Sequence, residues 1–375
     1  MWPRKTIGAG ILSKRALFII FCLLDLLIAF AFCELWARAF VKEVNLIWVH
    51  DNRLGIMLAP NQERIGYVEG KYYNIVRTNN YGFVDDDWRK EKPRGVIRIE
   101  AYGDSFLAGL QTNLTLTSYL EKFLNESAHN RYDVMNFGMV NGGTAKELAC
   151  YEVLGKKFEH DYVMLFFMVN DIRDNNSKIS VAGNTNPYYQ QDYQGNLKFV
   201  RPQFDPESKI IKFLKNHIFL SHVFANKFLA SELFQHIEWV KKQIQKKNVT
   251  STSNDNQNEY ERAVKITFRL IDEFNRRVKE NNAQLTLLDC ENLTHRMRHY
   301  FTHEQMKDFC IKRGIKYIPV YPVYEKLREN KSKYVFLDGH LKSEGNKIIA
   351  RAIFEKIKQD LRLRKVAGQQ SLTNR

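Results

Sequence analysis

A chain of 375 residues that is 44% hydrophobic and 13% aromatic can bury a large core and is not a disordered polymer. Its 57 Lys and Arg against 42 Asp and Glu leave a formal charge of +15. The basic residues are scattered, with small clusters at Lys241-Lys242, Lys246-Lys247 and Arg362 to Lys365 and no aromatic-interleaved basic motif, which excludes nucleic acid as the expected partner and fits an anionic lipid or acidic glycan nearby. Cysteines at 22, 33, 150, 290 and 310 are too few and too irregular for a disulfide framework or a zinc site, and Cys290 and Cys310 are expected as free buried thiols.

In chain order, residues 1–15 are followed by a run from Ala16 to Cys33 that is apolar except for Asp25. With Leu35 and Trp36 it approaches the roughly 20 residues of a membrane-spanning helix, so a transmembrane segment is expected over 16–36. Arg4, Lys5, Lys14 and Arg15 precede it, while Glu34, Arg38, Lys42 and Glu43 follow. The positive-inside rule then keeps the N-terminus cytoplasmic and puts everything after residue 40 outside the cytoplasm, which is the periplasm if the cell is Gram-negative. The competing reading is a cleaved secretory signal with Ala29-Phe30-Ala31 as its site, for which the apolar stretch is long. Asp25 near the helix middle costs about 2.5–3.5 kcal/mol on insertion scales, so it is either tolerated or faces the helix of a membrane protein partner.

Residues 44–92, rich in Asn, Gly, Tyr and charge, read as a loop-and-strand extension packed on the domain that follows, expected over 93–361. After Pro93 a regular alternation begins. Strands are expected at Val96–Tyr102, Tyr132–Asn136 and Tyr162–Met168, with helices over Leu116–His129 and Ala145–Leu154 between them; the third run is uninterrupted and apolar, as in a strand buried on both faces. Residues 173–260 break the pattern as an insertion with an amphipathic stretch over Ile210–Val240 and a polar linker over Asn248–Asn258, expected to be mobile. The alternation resumes with a helix over Tyr260–Asn281, a strand at Gln284–Leu288, a helix over Glu304–Lys312, a strand at Tyr317–Pro319, a helix over Ser343–Leu361 and a basic tail over 362–375. Strands alternating with helices in this way imply an α/β domain built on a mostly parallel sheet with helices on both faces.

Four short blocks carry the chemistry. Gly103-Asp104-Ser105 follows the first strand, where a serine hydroxyl can point off the carboxyl edge of the sheet; the bland alternative is a helix cap. The block from Asn136 to Thr144 follows the second strand, and Gly138, Gly142 and Gly143 let its main chain approach a ligand and aim an N–H at it; otherwise it is an ordinary glycine-rich turn. Asn170 follows the third strand and can present a side-chain amide to the same point, or cap a helix, as can Asp171. His340 lies in a Gly-containing loop before the last helix, with Asp338 two residues upstream to orient or stabilise the ring, which is the base that a nucleophilic serine requires.

In these blocks and their order the chain resembles the SGNH, or GDSL-type, hydrolases, with further likeness to membrane-anchored bacterial members at Thr78 to Phe83 and Asn170 to Asn175. The resemblance covers roughly residues 95–360 outside the insertion. It implies a flavodoxin-like three-layer α/β/α fold on a five-stranded sheet, Ser105 as nucleophile, His340 and Asp338 as its partners, and an oxyanion hole from Ser105, Asn170 and a backbone donor, with no metal or cofactor. Glycine is common in the family where Asn141 stands, so the backbone donor is Asn141 or Gly142. The Asp338-Gly339-His340 spacing is shorter than the commoner pattern and makes His340 the firmer member of that pair.

Three functions remain on these grounds: a serine esterase acting on O-acyl groups of an envelope polysaccharide or on a lipid ester; an O-acyltransferase that works with a membrane partner; and a non-catalytic glycan-binding scaffold. Two features stand apart from the blocks. His295, His299 and His303 recur every four residues but sit among Arg296 and Arg298, which suits a solvated basic surface better than a metal site. The stretch Pro187 to Tyr193 suits either sugar stacking or a cover for the insertion's own core.

Overall fold

A computed structural model describes residues 14–40, 46–69, 71–127, 131–192, 194–204, 253–293 and 297–373. The chain forms two units, one of residues 1–45 with 206–246 and one of residues 46–205 with 247–375. What is described of the first unit is a single helix, α1, Lys14–Phe40. Its Lys14–Ala37 stretch of 24 residues is long and apolar enough to cross a membrane. At 1.5 Å per residue it measures about 36 Å, against a hydrocarbon core of about 30 Å. The amphipathic stretch expected over 210–240 lies outside the described residues.

The second unit is built on five parallel strands: β5 (Val96–Gly103), β6 (Arg131–Gly138), β7 (Tyr162–Phe167), β10 (Gln284–Asp289) and β11 (Lys316–Pro319). Their order, β6-β5-β7-β10-β11, is the flavodoxin-like order in which the chain steps to one side of the first strand and then crosses back over it. Side chains alternate between the faces with the strand period of two. Val163, Leu165 and Phe167 of β7 join one core with α4 (Thr144–Val153), α6 (Ser253–Glu280) and α7 (His303–Lys312). Met164 and Phe166 join another with α3 (Leu116–Ser127), α8 (Tyr321–Glu329) and α10 (Ser343–Thr373). The result is three layers, helices on both faces of a buried sheet. The buried cysteines 150, 290 and 310 are free thiols.

The 44–92 segment holds two antiparallel hairpins, β1 (Trp48–Asp51) with β2 (Gly55–Leu58) and β3 (Glu63–Glu69) with β4 (Tyr72–Arg77). A further hairpin, β8 (Tyr188–Gln191) with β9 (Leu197–Val200), lies in the 173–260 segment. Helix α8 is not among the expected elements, and of those elements two ends depart furthest. Helix α6 starts at Ser253, inside the run expected as a mobile linker, and α10 runs through the expected tail boundary at 361 to Thr373. Both helices are nucleated by buried faces, from Ala263 on in one and Ile349 to Ile357 in the other. Once a helix is nucleated, each further residue adds a hydrogen bond for one more fixed residue, so a helix extends readily beyond its buried turns.

Candidate active site

Strand β5 ends at Gly103, where a Cβ would lie 3.0 Å from Leu107 Cβ and 3.1 Å from Phe166 Cβ. The next residue, Asp104, caps the short helix α2 (Ser105–Ala108): its Oδ1 accepts from the Phe106 N–H at 2.9 Å. The capping reading of the motif is therefore fulfilled by Asp104, and the Ser105 hydroxyl is left for other work. Ser105 Oγ lies 2.9 Å from His340 Nε2. The imidazole is carried by a tight loop in which the Phe336 N–H donates to His340 O at 2.9 Å and the Gly339 N–H to Phe336 O at 3.0 Å, with Gly339 at φ 95°.

Asp338 supports this loop twice. Its Oδ1 accepts from the His340 N–H at 3.0 Å, and its Oδ2 lies 3.1 Å from His340 Nδ1. The second contact has ion-pair distance without the in-line geometry of a hydrogen bond, so Nδ1 has no hydrogen-bond partner among the described residues. The nearby carboxylate still favours a proton on Nδ1, which leaves the Nε2 lone pair for the Ser105 hydroxyl. The Phe106 ring packs on the imidazole at 4.7 Å between centroids.

Sequence reasoning missed the groups that surround Asp338. Gln111 Nε2 donates to its Oδ2 at 3.4 Å, and Glu69 Oε1 accepts from the Leu337 N–H at 2.8 Å. Tyr67 reaches the same carboxylate, and burial, then the charges of Asp338 and Glu69, push its hydroxyl pKa up. Tyr67 and Glu69 come from β3, so the extension braces the Asp/His loop; neither residue belongs to a motif that could have flagged it.

On the other side of Ser105, the Met139 N–H donates to Gly103 O at 2.9 Å and ties the second block to the end of β5. Asn141 follows in the left-handed region, at φ 54°. Gly143 caps α4, and a Cβ there would lie 2.9 Å from both Asn175 Oδ1 and Asp171 O. Among the described residues the N–H groups of Ser105, Asn141 and Gly142 donate no well-aligned hydrogen bond within the protein, and the 140–141 turn brings that of Gly142 toward Met139 O. Asn170, in helix α5 (Val169–Asp174), is engaged: its Nδ2 donates to Asp104 Oδ2 at 2.8 Å and to Asp174 Oδ2 at 3.4 Å.

Beneath the site lie three buried acids, Asp104, Glu147 and Asp171. Neither oxygen of Glu147 has a hydrogen-bond partner among the described residues. Burial, then Asp104, drives the Glu147 pKa well up; burial, then Glu147 and Asp104, does the same for Asp171. Asp104 is pushed up to about 7 by burial, against the Asn170 and Phe106 donors that pull it down. A carboxyl whose folded pKa is raised stabilises the fold fully below its unfolded pKa of about 4, and this stability is lost as pH rises through the folded value. The melting temperature is therefore expected to fall as pH rises from 5 to 8. In Glu147→Gln, which removes one proton site and its repulsion, thermal scans at each pH should show a smaller fall; an equal fall would place the acid cluster outside this pH dependence.

The histidine series is not one helix face. His299 ends a 3-10 turn, Met297–His299, and α7 begins afresh at His303 behind the cap Thr302; His295 lies outside the described residues. The solvated-surface expectation is corrected at His303, whose Nδ1 lies 2.6 Å from buried Asp289 Oδ2 and whose ring stacks on Tyr321 at 3.7 Å, because a buried carboxylate at the end of β10 draws the imidazole in. In the tyrosine stretch, Tyr189 packs edge-on to Phe199 at 5.4 Å and against the core, while Tyr193 lies outside the described residues.

No family model matches the chain, and no curated protein matches it. Among solved structures, the lipase/acylhydrolase from Enterococcus faecalis is 14% identical with a TM-score of 0.36, over 70% of this chain and 96% of that one. A catalytic mutant of an acetylxylan esterase from Geobacillus stearothermophilus is 13% identical with a TM-score of 0.38, over 70% and 94%. A member of the lipolytic protein G-D-S-L family from Veillonella parvula is 10% identical with a TM-score of 0.36, over 69% and 97%. In the order of its four blocks, its flavodoxin-like sheet and the meeting of Ser105 with His340, the chain is similar to the SGNH hydrolases.

Proposed function

We propose that the protein is a serine esterase that works through an acyl-enzyme on an O-acyl ester, and that the observation carrying this reading is the 2.9 Å contact between Ser105 Oγ and His340 Nε2 at the carboxyl edge of the sheet. His340 takes the hydroxyl proton as Oγ bonds to the ester carbonyl carbon. The carbonyl oxygen becomes an oxyanion held by the N–H of Ser105 and of Asn141 or Gly142, with Asn170 Nδ2 exchanging its long 3.4 Å bond to Asp174 for the oxyanion. The carbon–oxygen bond to the leaving alcohol then breaks, and His340 returns the proton to that alcohol. Water enters by the same route, losing a proton to His340 while its oxygen bonds to the acyl carbon, and release of the acid restores Ser105. Asp338 stabilises the imidazolium in both halves.

In the same reading, α1 tethers the chain to a membrane with its N-terminus in the cytoplasm, and the substrate is an O-acyl group on an envelope polysaccharide or a lipid. An acyltransferase uses the first half-reaction unchanged and gives the acyl group to a sugar hydroxyl in place of water. The full chain in detergent, given a small acetyl ester with and without a sugar acceptor, separates the two. Ester hydrolysis with a rate indifferent to the acceptor supports the esterase, and a rate that rises with acceptor while acylated sugar accumulates supports the transferase. Intact Ser105 with neither product and no labelling by a fluorophosphonate would leave the glycan-binding scaffold.

A further inference from the structure

We infer that Asn186, in the 173–260 segment, is a positioning residue that aims the Gly142 N–H as an oxyanion donor; this rests on the reading of Ser105 as an acylated nucleophile. A trans peptide unit is planar, with its C=O and N–H pointing in opposite directions. The carbonyl of Asn141 and the N–H of Gly142 belong to one such unit. Asn186 Nδ2 donates to Asn141 O and fixes the unit from its carbonyl side. The Gly142 N–H is thereby turned the other way, toward Met139 O across the 140–141 turn, but it makes no well-aligned hydrogen bond among the described residues.

The unit before it is held in the same manner. Lys146, buried under the loop, donates from Nζ to Val140 O at 3.1 Å and to Ile56 O at 2.9 Å. Between the two held carbonyls sits Asn141 at φ 54°, a left-handed residue in a turn. Successive N–H groups in such a turn converge on a concavity that accepts an anion. Two glycines follow, so without an outside grip the 141–142 peptide would be free to rotate and its N–H would not be preset.

Asn186 is itself fixed. It is 4% exposed and follows a 3-10 turn, Gly183–Thr185. That turn packs on Gly55 at the start of β2, where a Cβ would lie 2.6 Å from Thr185 O and 3.2 Å from Asn186 Cα. Further along, the Gln203 N–H donates to Asn184 O at 2.7 Å, and the Phe204 ring stacks on His50 of β1 at 4.2 Å. The first hairpin of the extension and the 182–204 stretch thus clamp the donor loop from outside the sheet. Asn enters the left-handed region more readily than most residues other than glycine, and Asn186 and Lys146 hold the peptides on either side of Asn141 there.

The test uses the full chain in detergent, with each rate divided by the amount of Ser105 that a fluorophosphonate labels to completion, so that loss of folded protein does not count as loss of rate. Asn186→Ala is expected to lower kcat for a small acetyl ester about 10- to 100-fold, with KM within about twofold and the pH profile of kcat/KM unshifted. Asn186→Asp, which keeps the shape but faces the Asn141 carbonyl with an acceptor, is expected to lose at least as much. The initial labelling rate of Ser105 should fall with kcat, because the phosphonyl oxygen needs the same donor. A normalised kcat and labelling rate within twofold of the parent in both variants would overturn the inference alone, and a parent chain that is not labelled at Ser105 would overturn the activated-serine reading and the inference with it.

Discussion

Ser105→Ala is expected to lower turnover of a small acetyl ester by about 10⁴- to 10⁶-fold, and His340→Ala to cost nearly as much, because nucleophile and base act as one unit and removing either removes the covalent route. The two variants should not be additive: the double variant loses no more than Ser105→Ala alone. What survives is the contribution of the oxyanion donors and of binding, which neither change touches. Labelling by a fluorophosphonate, mapped by mass spectrometry, should be absent from Ser105→Ala and strongly slowed in His340→Ala, since Ser105 Oγ then has no Nε2 at 2.9 Å to take its proton. Ser105 is half-buried at the start of a short helix whose cap is Asp104, so its removal should change stability by less than about 1 kcal/mol. Hydrolysis by Ser105→Ala within tenfold of the parent would show that another group carries the reaction, and the proposed esterase mechanism would be withdrawn.

Gly138→Ala is expected to be the most damaging single-methyl change near the site. A Cβ at 138 would stand 2.3 Å from Ala108 N, 2.6 Å from Ala108 Cα and 2.6 Å from Leu107 C. All three are main-chain atoms of α2, so no side chain can rotate away and the helix itself must move. Overpacking of this kind costs about 1–3 kcal/mol, and here the upper part of that range is expected because the obstacle is backbone. The displaced helix begins with Ser105, and a shift of about 1 Å in a reacting group can cost about 10² in rate. Gly95→Ala is the comparison: its φ of 78° is positive, unlike that of Gly138, but nothing lies within 4 Å of the new Cβ. It should cost about 1 kcal/mol of backbone strain and leave kcat unchanged. Denaturant unfolding and kcat measured side by side would decide the matter. A stability loss in Gly138→Ala no larger than that in Gly95→Ala, with kcat unchanged, would mean that contact with α2 does not set the need for Gly138.

Much of the domain follows from the residues themselves. The buried runs at 96–103, 162–167 and 284–289 are strands because their apolar side chains have cores on both faces, and that requirement is written locally in each run. Ser105, the glycine block and His340 were likewise legible, since each follows a strand or precedes a helix and a parallel sheet gathers such ends along one edge. The tertiary structure decided what stands behind them. Gln111 and Asp338 are 227 residues apart in the chain, and Glu69 and Leu337 are 268 apart. Contacts of that separation leave no periodicity or spacing to read, because each partner is an ordinary polar residue in its own segment. The same holds for Asn186 on the Asn141 carbonyl, for the engagement of Asn170 with Asp104, and for the acids left together under the nucleophile. Local sequence determines which elements form and which ends meet at the sheet edge; the orientation of a peptide unit or an amide at that edge is set by whatever distant side chain the fold brings against it.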